Sequence, residues 1–286
     1  MHIEEIGKSV NFHLKNIAFS RFGHDSAYNN IISPFSRLYL VTEGNGYLVF
    51  NGGTTLLEPN HIYLIPGFIP CSYFFEKNLA HIYIHFSMEM PSGLNIYSLF
   101  RMLSKIEAKT DDPVLFKKCL ELNPGHELPH HDPRVYQSKP WINKDVTYPS
   151  LAHYLETTAI IAQLFSRFVR EELSGNINKI ANPHFQHVLK FIQENIAKEI
   201  FVSELAKMSF TSKDHFSRVF KSITGMPPSE YIIKKRLEKA KLLLLTTNYP
   251  LSEIIQQTGF KTTPYFCRMF KKYTSFTPEQ FRKNRG

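Results

Sequence analysis

The first third of the chain alternates short apolar segments with turn residues. Leu38 to Val41, Tyr47 to Phe50, Thr54 to Leu57, Ile62 to Ile65 and His81 to Phe86 are separated by Glu43-Gly44-Asn45-Gly46, Asn51-Gly52-Gly53, Glu58-Pro59-Asn60 and Pro66-Gly67. Short runs of β-branched and aromatic residues between Gly, Asn and Pro clusters are strands joined by tight turns. This many of them, from about Phe12 to Phe86, predict a barrel or jelly roll. An amphipathic stretch runs from Ile96 to Ile106, and the Pro- and His-rich segment from Asn123 to Pro149 takes no assignment. From Leu151 to Leu173 the apolar residues Leu151, Tyr154, Leu155, Ile161, Leu164, Phe165, Phe168 and Val169 recur at helical spacing, which predicts one long helix with a broad apolar face. Ser174-Gly175-Asn176 ends it and Asn182-Pro183 marks a second break. Beyond that break the pattern is wholly helical: His187 to Ile196, Ser203 to Ser209, Lys213 to Ile223, Ser229 to Leu245, Ser252 to Thr258, Thr263 to Tyr273 and Pro278 to Lys283. The predicted division is therefore residues 1–150, a helix and linker at 151–182, and a helical domain at 183–286.

Charge sharpens this division. Residues 1–182 hold 16 Lys and Arg against 17 Asp and Glu, whereas residues 183–286 hold 18 against 8, so the excess positive charge lies in the helical part. A basic balance confined to one compact segment is the electrostatic footprint of a polyanion partner, most often nucleic acid. No apolar run is long enough for a bilayer span, and MHIEEIGKSV lacks the basic start of a secretory signal, so a cytoplasmic protein with no membrane partner is expected. Three scattered cysteines, Cys71, Cys119 and Cys267, fit neither a disulfide framework nor a Cys-rich zinc module.

The helical part repeats itself at an offset of about fifty. Ser203-Glu204-Leu205 returns as Ser252-Glu253-Ile254, and Phe216-Ser217-Arg218-Val219-Phe220-Lys221 returns as Phe266-Cys267-Arg268-Met269-Phe270-Lys271. Pro228 and Tyr231 return as Pro278 and Phe281. Each copy is a short helix, a tight turn and a second helix, the helix-turn-helix arrangement. The second helix places Phe216, Val219, Phe220 and Ile223 on one face and Lys213, Asp214, Ser217, Arg218 and Lys221 on the other. Copy two places Phe266, Met269, Phe270 and Tyr273 inside and Thr263, Pro264, Cys267, Arg268 and Lys271 outside. Such an outward face suits the major groove of double-stranded DNA, where Arg reaches guanine and flanking Lys neutralises phosphate. The alternative is a structural hairpin with solvated charges.

These residues, with Thr224-Gly225, Arg236-Leu237-Glu238-Lys239-Ala240, Gly259-Phe260 and Tyr265, resemble the DNA-binding domain of the AraC/XylS transcription regulators. The resemblance implies two helix-turn-helix units joined by one rigid helix, reading promoter DNA with Asp214, Ser217 and Arg218 and then Thr263, Pro264, Cys267 and Arg268. Two residues depart from the family pattern: Phe210 stands where the first turn usually has Gly, and Ile255 where the second unit usually has a small Ala. The N-terminal pattern, Glu43-Gly44-Asn45-Gly46 followed by Pro59-Asn60-His61-Ile62-Tyr63-Leu64-Ile65-Pro66-Gly67, is similar to the cupin-like jelly roll that precedes this domain in many members. The implied fold class is two-domain β plus α, a jelly roll with an attached long helix followed by an all-α double helix-turn-helix.

Catalytic cupins hold a metal with a His-x-His pair, a following Glu and a later His. Glu43 has no such pair beside it and Cys71 stands where the later His is expected, so no cofactor and no catalysis are predicted. A metal-dependent cupin enzyme with a DNA-binding tail is the alternative. In the segment His81 to Phe86, His81, Tyr83 and His85 share one face. Turned into the barrel, with Glu43 at its mouth, they would bind a small-molecule effector such as a sugar, as similar positions do in sugar-responsive relatives. Turned outward they would be ordinary surface. Gly125-His126-Glu127 and His130-His131-Asp132 are read as polar loop residues, with metal binding the alternative. The resemblance further implies a homodimer through the Leu151 to Leu173 helix, coupling of effector to DNA through the linker, and RNA polymerase as a further partner.

Overall fold

The computed structural model describes residues 7–50, 52–90, 96–130, 132, 146–172 and 183–283. The linker from Ser174 to Asn182, its neighbour Leu173 and His131 lie outside them. Two compact units divide the chain, one formed by Phe12–Met88 with Met102–Arg170, the other centred on Glu171–Arg282 and including Glu89–Arg101.

The first unit is built from two sheets. One runs in the order β1 (Asn11–Arg21), β8 (Ala80–Glu89), β3 (Ser36–Glu43), β6 (His61–Ile65), β10 (Lys105–Glu107), and the other in the order β2 (Ser26–Ile31), β7 (Cys71–Phe75), β4 (Gly46–Phe50), β5 (Gly53–Leu57). β3 is antiparallel to both its neighbours, with Tyr39 opposite Tyr63 on one side and Tyr83 on the other. The β3–β4 turn needs glycine: Gly44 sits at φ +71°, and a Cβ there would lie 2.7 Å from the backbone of Leu79. Tyr39, Val41, Leu48, Leu57, Tyr63, Ile65, Tyr73 and Phe75 form the core between the sheets. β4 shows the alternation expected of a half-buried strand, Leu48 and Phe50 inward and Tyr47 and Val49 outward. In β3, by contrast, every residue from Ser36 to Val41 is buried, and a helix packs on the same sheet at β1 and β8.

That helix is α3 (Leu151–Ser166), which follows α1 (Ile96–Leu99), β9 (Phe100–Met102) and α2 (Asp112–Leu122). Ser150 caps it by accepting from His153 N at 3.2 Å. Phe165 packs edge-on against Phe12 and Phe86, with ring centroids 5.4 and 6.0 Å away, and Asn123 Nδ2 donates to Thr157 Oγ1 at 3.1 Å.

Two expectations need correction. The predicted helix to Leu173 stops at Ser166, and Val169–Glu172 is a strand, β11, paired with β9. The chain turns because Arg167 is ion-paired with the nearly buried Asp112 and Phe168 is buried completely, its carbonyl accepting from Leu103 N at 2.9 Å. The amphipathic stretch from Ile96 to Ile106 is one helical turn followed by two short strands, because Ile106 pairs with Ile62 at the sheet edge. Sequence patterning also passed over β1, β2 and β7, and α2 lay in a region given no assignment.

The second unit is helical: α4 (Pro183–Glu194), α5 (Val202–Met208), α6 (Lys213–Thr224), α7 (Pro228–Thr246), α8 (Leu251–Thr258), α9 (Thr263–Thr274) and α10 (Pro278–Lys283). Every predicted helix of this region is present, with ends moved by a few residues. Among the described residues no helix is long and apolar enough to cross a membrane.

Candidate nucleic-acid interface and ligand cavity

The sequence repeat is a repeat of contacts. In the first copy Phe216 and Phe220 lie 5.4 Å apart and Phe220 meets Tyr231 edge-on at 5.3 Å; in the second, Phe266 and Phe270 lie 5.5 Å apart and Phe270 meets Phe281 edge-on at 5.2 Å. Thr224 Oγ1 donates to the carbonyl of Phe220, and Thr274 Oγ1 does the same to Phe270, at 2.9 and 2.7 Å. Each second helix then ends on a left-handed residue, Gly225 in one copy and Ser275 in the other. These shared contacts hold α6 and α9 against their cores by the same apolar face and leave the same polar face uncovered. Lys213, Asp214, Arg218 and Lys221 are exposed and Ser217 half-buried; Thr263, Pro264, Arg268 and Lys271 are exposed and Cys267 half-buried. Tyr273, expected inside, is 38% exposed, its hydroxyl donating to Glu230 Oε1 at 3.1 Å.

The copies differ where they start. Ser212 caps α6 by accepting from His215 N at 3.3 Å, whereas the Thr262 side chain makes no capping bond to α9. Ser212→Ala should therefore cost about 1 kcal/mol of stability and Thr262→Ala only a few tenths, read from the denaturation midpoints of the two variants. Tyr265 lies under the Arg268 guanidinium, 5.5 Å from Cζ to ring centroid, and holds it to the helix surface. Ile255, an unusual residue at this contact, is accommodated and buried.

The first unit contains a cavity between its sheets. Its walls are Ser20, Phe22, Tyr39, His81, Tyr83 and His85 from one side, Tyr28, Tyr73 and Phe75 from the other, and Leu128 from the loop after α2, enclosing about 400 Å3 with its open mouth included. The open question about β8 is answered by placement: His81, Tyr83 and His85 face inward and are buried. His81 stacks with Phe22 and Phe75 and lies 4.9 Å from the Tyr39 ring. The Tyr83 hydroxyl accepts from Leu128 N at 2.8 Å, fixing the loop at the cavity wall. Burial, and after it the charges of Arg37 and His81, hold the His85 imidazole well below its ordinary pKa, so it is neutral.

Glu43 does not line this cavity. Its exposed carboxylate is bound to Arg21 at 2.7 Å, and that hydrogen bond and charge keep it below the usual carboxylate range. Cys71 is buried, and desolvation pushes its thiol up to about 11, so it stays protonated. His126 Nδ1 lies 3.0 Å from the carbonyl of Pro124, and His130 Nδ1 accepts from Asp132 N at 2.9 Å. Among the described residues no three His, Cys, Asp or Glu side chains cluster as metal ligands would.

Sequence reasoning passed over most of the aromatic wall, and it passed over Arg37. This arginine is fully buried on β3, its Nη1 donating to Ser33 Oγ at 3.1 Å and its Cζ 5.2 Å from the Tyr73 ring centroid. The signal was present: a strand whose neighbours Leu38 to Val41 are continuously apolar has no water-facing side to which an arginine can alternate.

Two duplicated helix-turn-helix units in a basic segment, and a walled cavity in a separate β unit, define a ligand-responsive DNA-binding transcription regulator. Residues 205–284 match the model of a helix-turn-helix domain and residues 19–94 that of the AraC-like ligand binding domain. The chain belongs to the AraC family of transcription regulators. It is 24% identical over 264 residues to the raffinose operon transcriptional regulatory protein RafR of Pediococcus pentosaceus, covering 90% of this chain and 88% of that one. It is 23% identical over 255 residues to the lactose operon transcription activator of Staphylococcus xylosus, covering 89% and 86%. Among solved structures it is similar in fold to ToxT from Vibrio cholerae O395, with a TM-score of 0.50 at 11% identity over 97% of this chain and all of that one. These relatives are regulators rather than enzymes, which sets aside the metal-dependent enzyme alternative.

Proposed function

We propose that this regulator binds a carbohydrate in the cavity between its sheets, through His81, Tyr83 and His85, and reads promoter DNA through Lys213, Asp214, Ser217, Arg218 and Lys221 together with Thr263, Pro264, Cys267, Arg268 and Lys271. The observation that carries the first part is the composition of the cavity: flat aromatic rings for the faces of a sugar, and imidazole and hydroxyl groups for its rim. The names of two relatives, regulators of a raffinose and a lactose operon, support the same class of ligand. The second part rests on the matched exposure of the two polar helix faces. The domain division in this proposal is 1–150 for effector sensing, 151–182 for the helix and linker and 183–286 for DNA binding.

In this reading the protein is a dimer through α3. Leu151 and Leu155 are 71% and 54% exposed, Ala152 and Ala159 are exposed beside them, and Glu156, the single acidic residue of the helix, is turned to Lys118. Pairing would set two DNA-binding units on paired half-sites, raising affinity through effective concentration, with RNA polymerase a further partner of the bound form. A thermal-shift series of the full chain with neutral sugars (galactose, lactose, melibiose, raffinose) and acidic ones (galacturonate, galactose 6-phosphate), followed by operator titration with any stabilising sugar, tests the proposal. A sugar that raises the melting temperature and alters operator affinity is the expected result. Intact operator binding with no response to any sugar would remove the effector assignment.

A further inference from the structure

The carbohydrate reading leaves the chemistry of Arg37 unused. This residue is 0% exposed, yet among the described residues neither Nε nor Nη2 has an acceptor. Its neighbours are Ser33 Oγ and the Tyr73 ring, both uncharged, and no described carboxylate is ion-paired with it. The strand register places Arg37 directly opposite His85, and Tyr73 faces it from the other sheet; both neighbours line the cavity. The Tyr73 hydroxyl is likewise buried with no hydrogen-bond partner among the described residues. Arg37 does not itself line the cavity; its charge and unused donors lie directly behind the wall that His85 and Tyr73 form at one end. The other end, around His81, Phe22 and Phe75, is aromatic. An unpaired charge in a low-dielectric interior is unfavourable until an opposite charge reaches it, and guanidinium matches planar carboxylate and phosphate oxygens in geometry as well as charge.

We infer that the effector is an acidic sugar, a small hydroxylated ligand bearing a carboxylate or phosphate that Arg37 receives at the His85–Tyr73 end of the cavity. The inference rests on the reading of this cavity as the effector site. Neutral His85 and the Tyr73 hydroxyl supply hydrogen bonds to the same anionic group without competing for the guanidinium, while the aromatic end covers the sugar ring. A neutral sugar would leave the charge unmatched.

The test uses the full-length protein, with calorimetric titration and thermal shift against galacturonate, glucuronate and galactose 6-phosphate beside galactose and glucose. At least one acid should bind more tightly than its neutral counterpart, the uronates and the sugar phosphate distinguishing carboxylate from phosphate. Arg37→Met should weaken that acid by about 10- to 150-fold, the span of a hydrogen bond to a charged group, and leave neutral sugars unchanged. Arg37→Lys should retain part of the difference. Without ligand, Arg37→Met should melt no lower than the wild type, because an unmatched buried charge has been removed. Neutral sugars binding as tightly as acids, lost in His81→Phe but indifferent to Arg37→Met, would overturn the acidic class and leave the cavity reading standing. Acids whose affinity responds to neither variant would show that the cavity is not the site. A ligand-free Arg37→Met protein that melts several degrees lower and loses all ligands alike would make the arginine structural, and binding of no member of the panel would also overturn the inference.

Discussion

Gly259→Val should unfold the second helix-turn-helix unit. Gly259 closes α8 at φ +73°, and a Cβ there would lie 2.7 Å from the carbonyl oxygen of Ile196 and 2.9 Å from the carbonyl carbon and oxygen of Ala197. Those are backbone atoms that no side-chain rotation can clear. A β-branched residue adds the penalty of the left-handed conformation, so the combined cost should be about 3 kcal/mol or more. Denaturant titration should show an earlier midpoint or a separate early transition, and operator binding should fall with it. The first copy supplies the control. Phe210 occupies the equivalent turn at φ +54° and is 84% exposed, its ring edge-on to His184 at 5.6 Å. Phe210→Gly should stay within about 1 kcal/mol of the wild type, relief of left-handed strain offsetting the added freedom of the unfolded chain. Equal sensitivity of the two turns would contradict this account.

Removing both arginines of the proposed DNA face should cost more affinity than any other pair of surface changes. Arg218 and Arg268 stand at matching positions of α6 and α9, and each is exposed. Replacing either by alanine should lower specific affinity by about 1 to 3 kcal/mol. The two lie on separate helices with no shared partner, so the double variant should lose about 2 to 6 kcal/mol. Operator isotherms at one fixed salt concentration, with a scrambled duplex alongside, provide the measurement. Specific and scrambled DNA weakening together would mean that the arginines only neutralise phosphate. Tyr265→Leu should reproduce part of the Arg268 loss, since it frees a guanidinium that the ring now restrains.

The helical unit was legible because its signals are local and stated twice. Phe216 and Phe220, and again Phe266 and Phe270, mark the buried face at helical spacing, and whatever is not on that face is outside. Tyr273 misled because it continues the spacing of Phe266 and Phe270 past the last turn of the core, where Glu230 offers its hydroxyl a partner. The β unit was legible only where turns are tight. β7, Cys71–Phe75, alternates in burial but not in polarity, since Tyr73 and Phe75 point into the core while Phe74 lies against Tyr47 on the outside. The end of α3 depends on Asp112 and Leu103, residues far away along the chain, which no local pattern reports. The cavity was anticipated from β8 alone; its opposite wall comes from strands whose pairing only folding discloses.

The loop after α4 is held from two directions. Arg236, in the middle of α7, donates from Nε to the Ile196 carbonyl at 3.1 Å and from Nη2 to the Lys198 carbonyl at 2.6 Å, and Gly259 abuts the same loop. The helix that joins the two copies is thereby fastened to the scaffold at its centre as well as its ends. Two reading heads mounted on such a stiff beam cannot slide apart to suit a mismatched site. The compliance must come from the duplex, so sequences between the contacted positions that bend or untwist easily should be favoured without being touched.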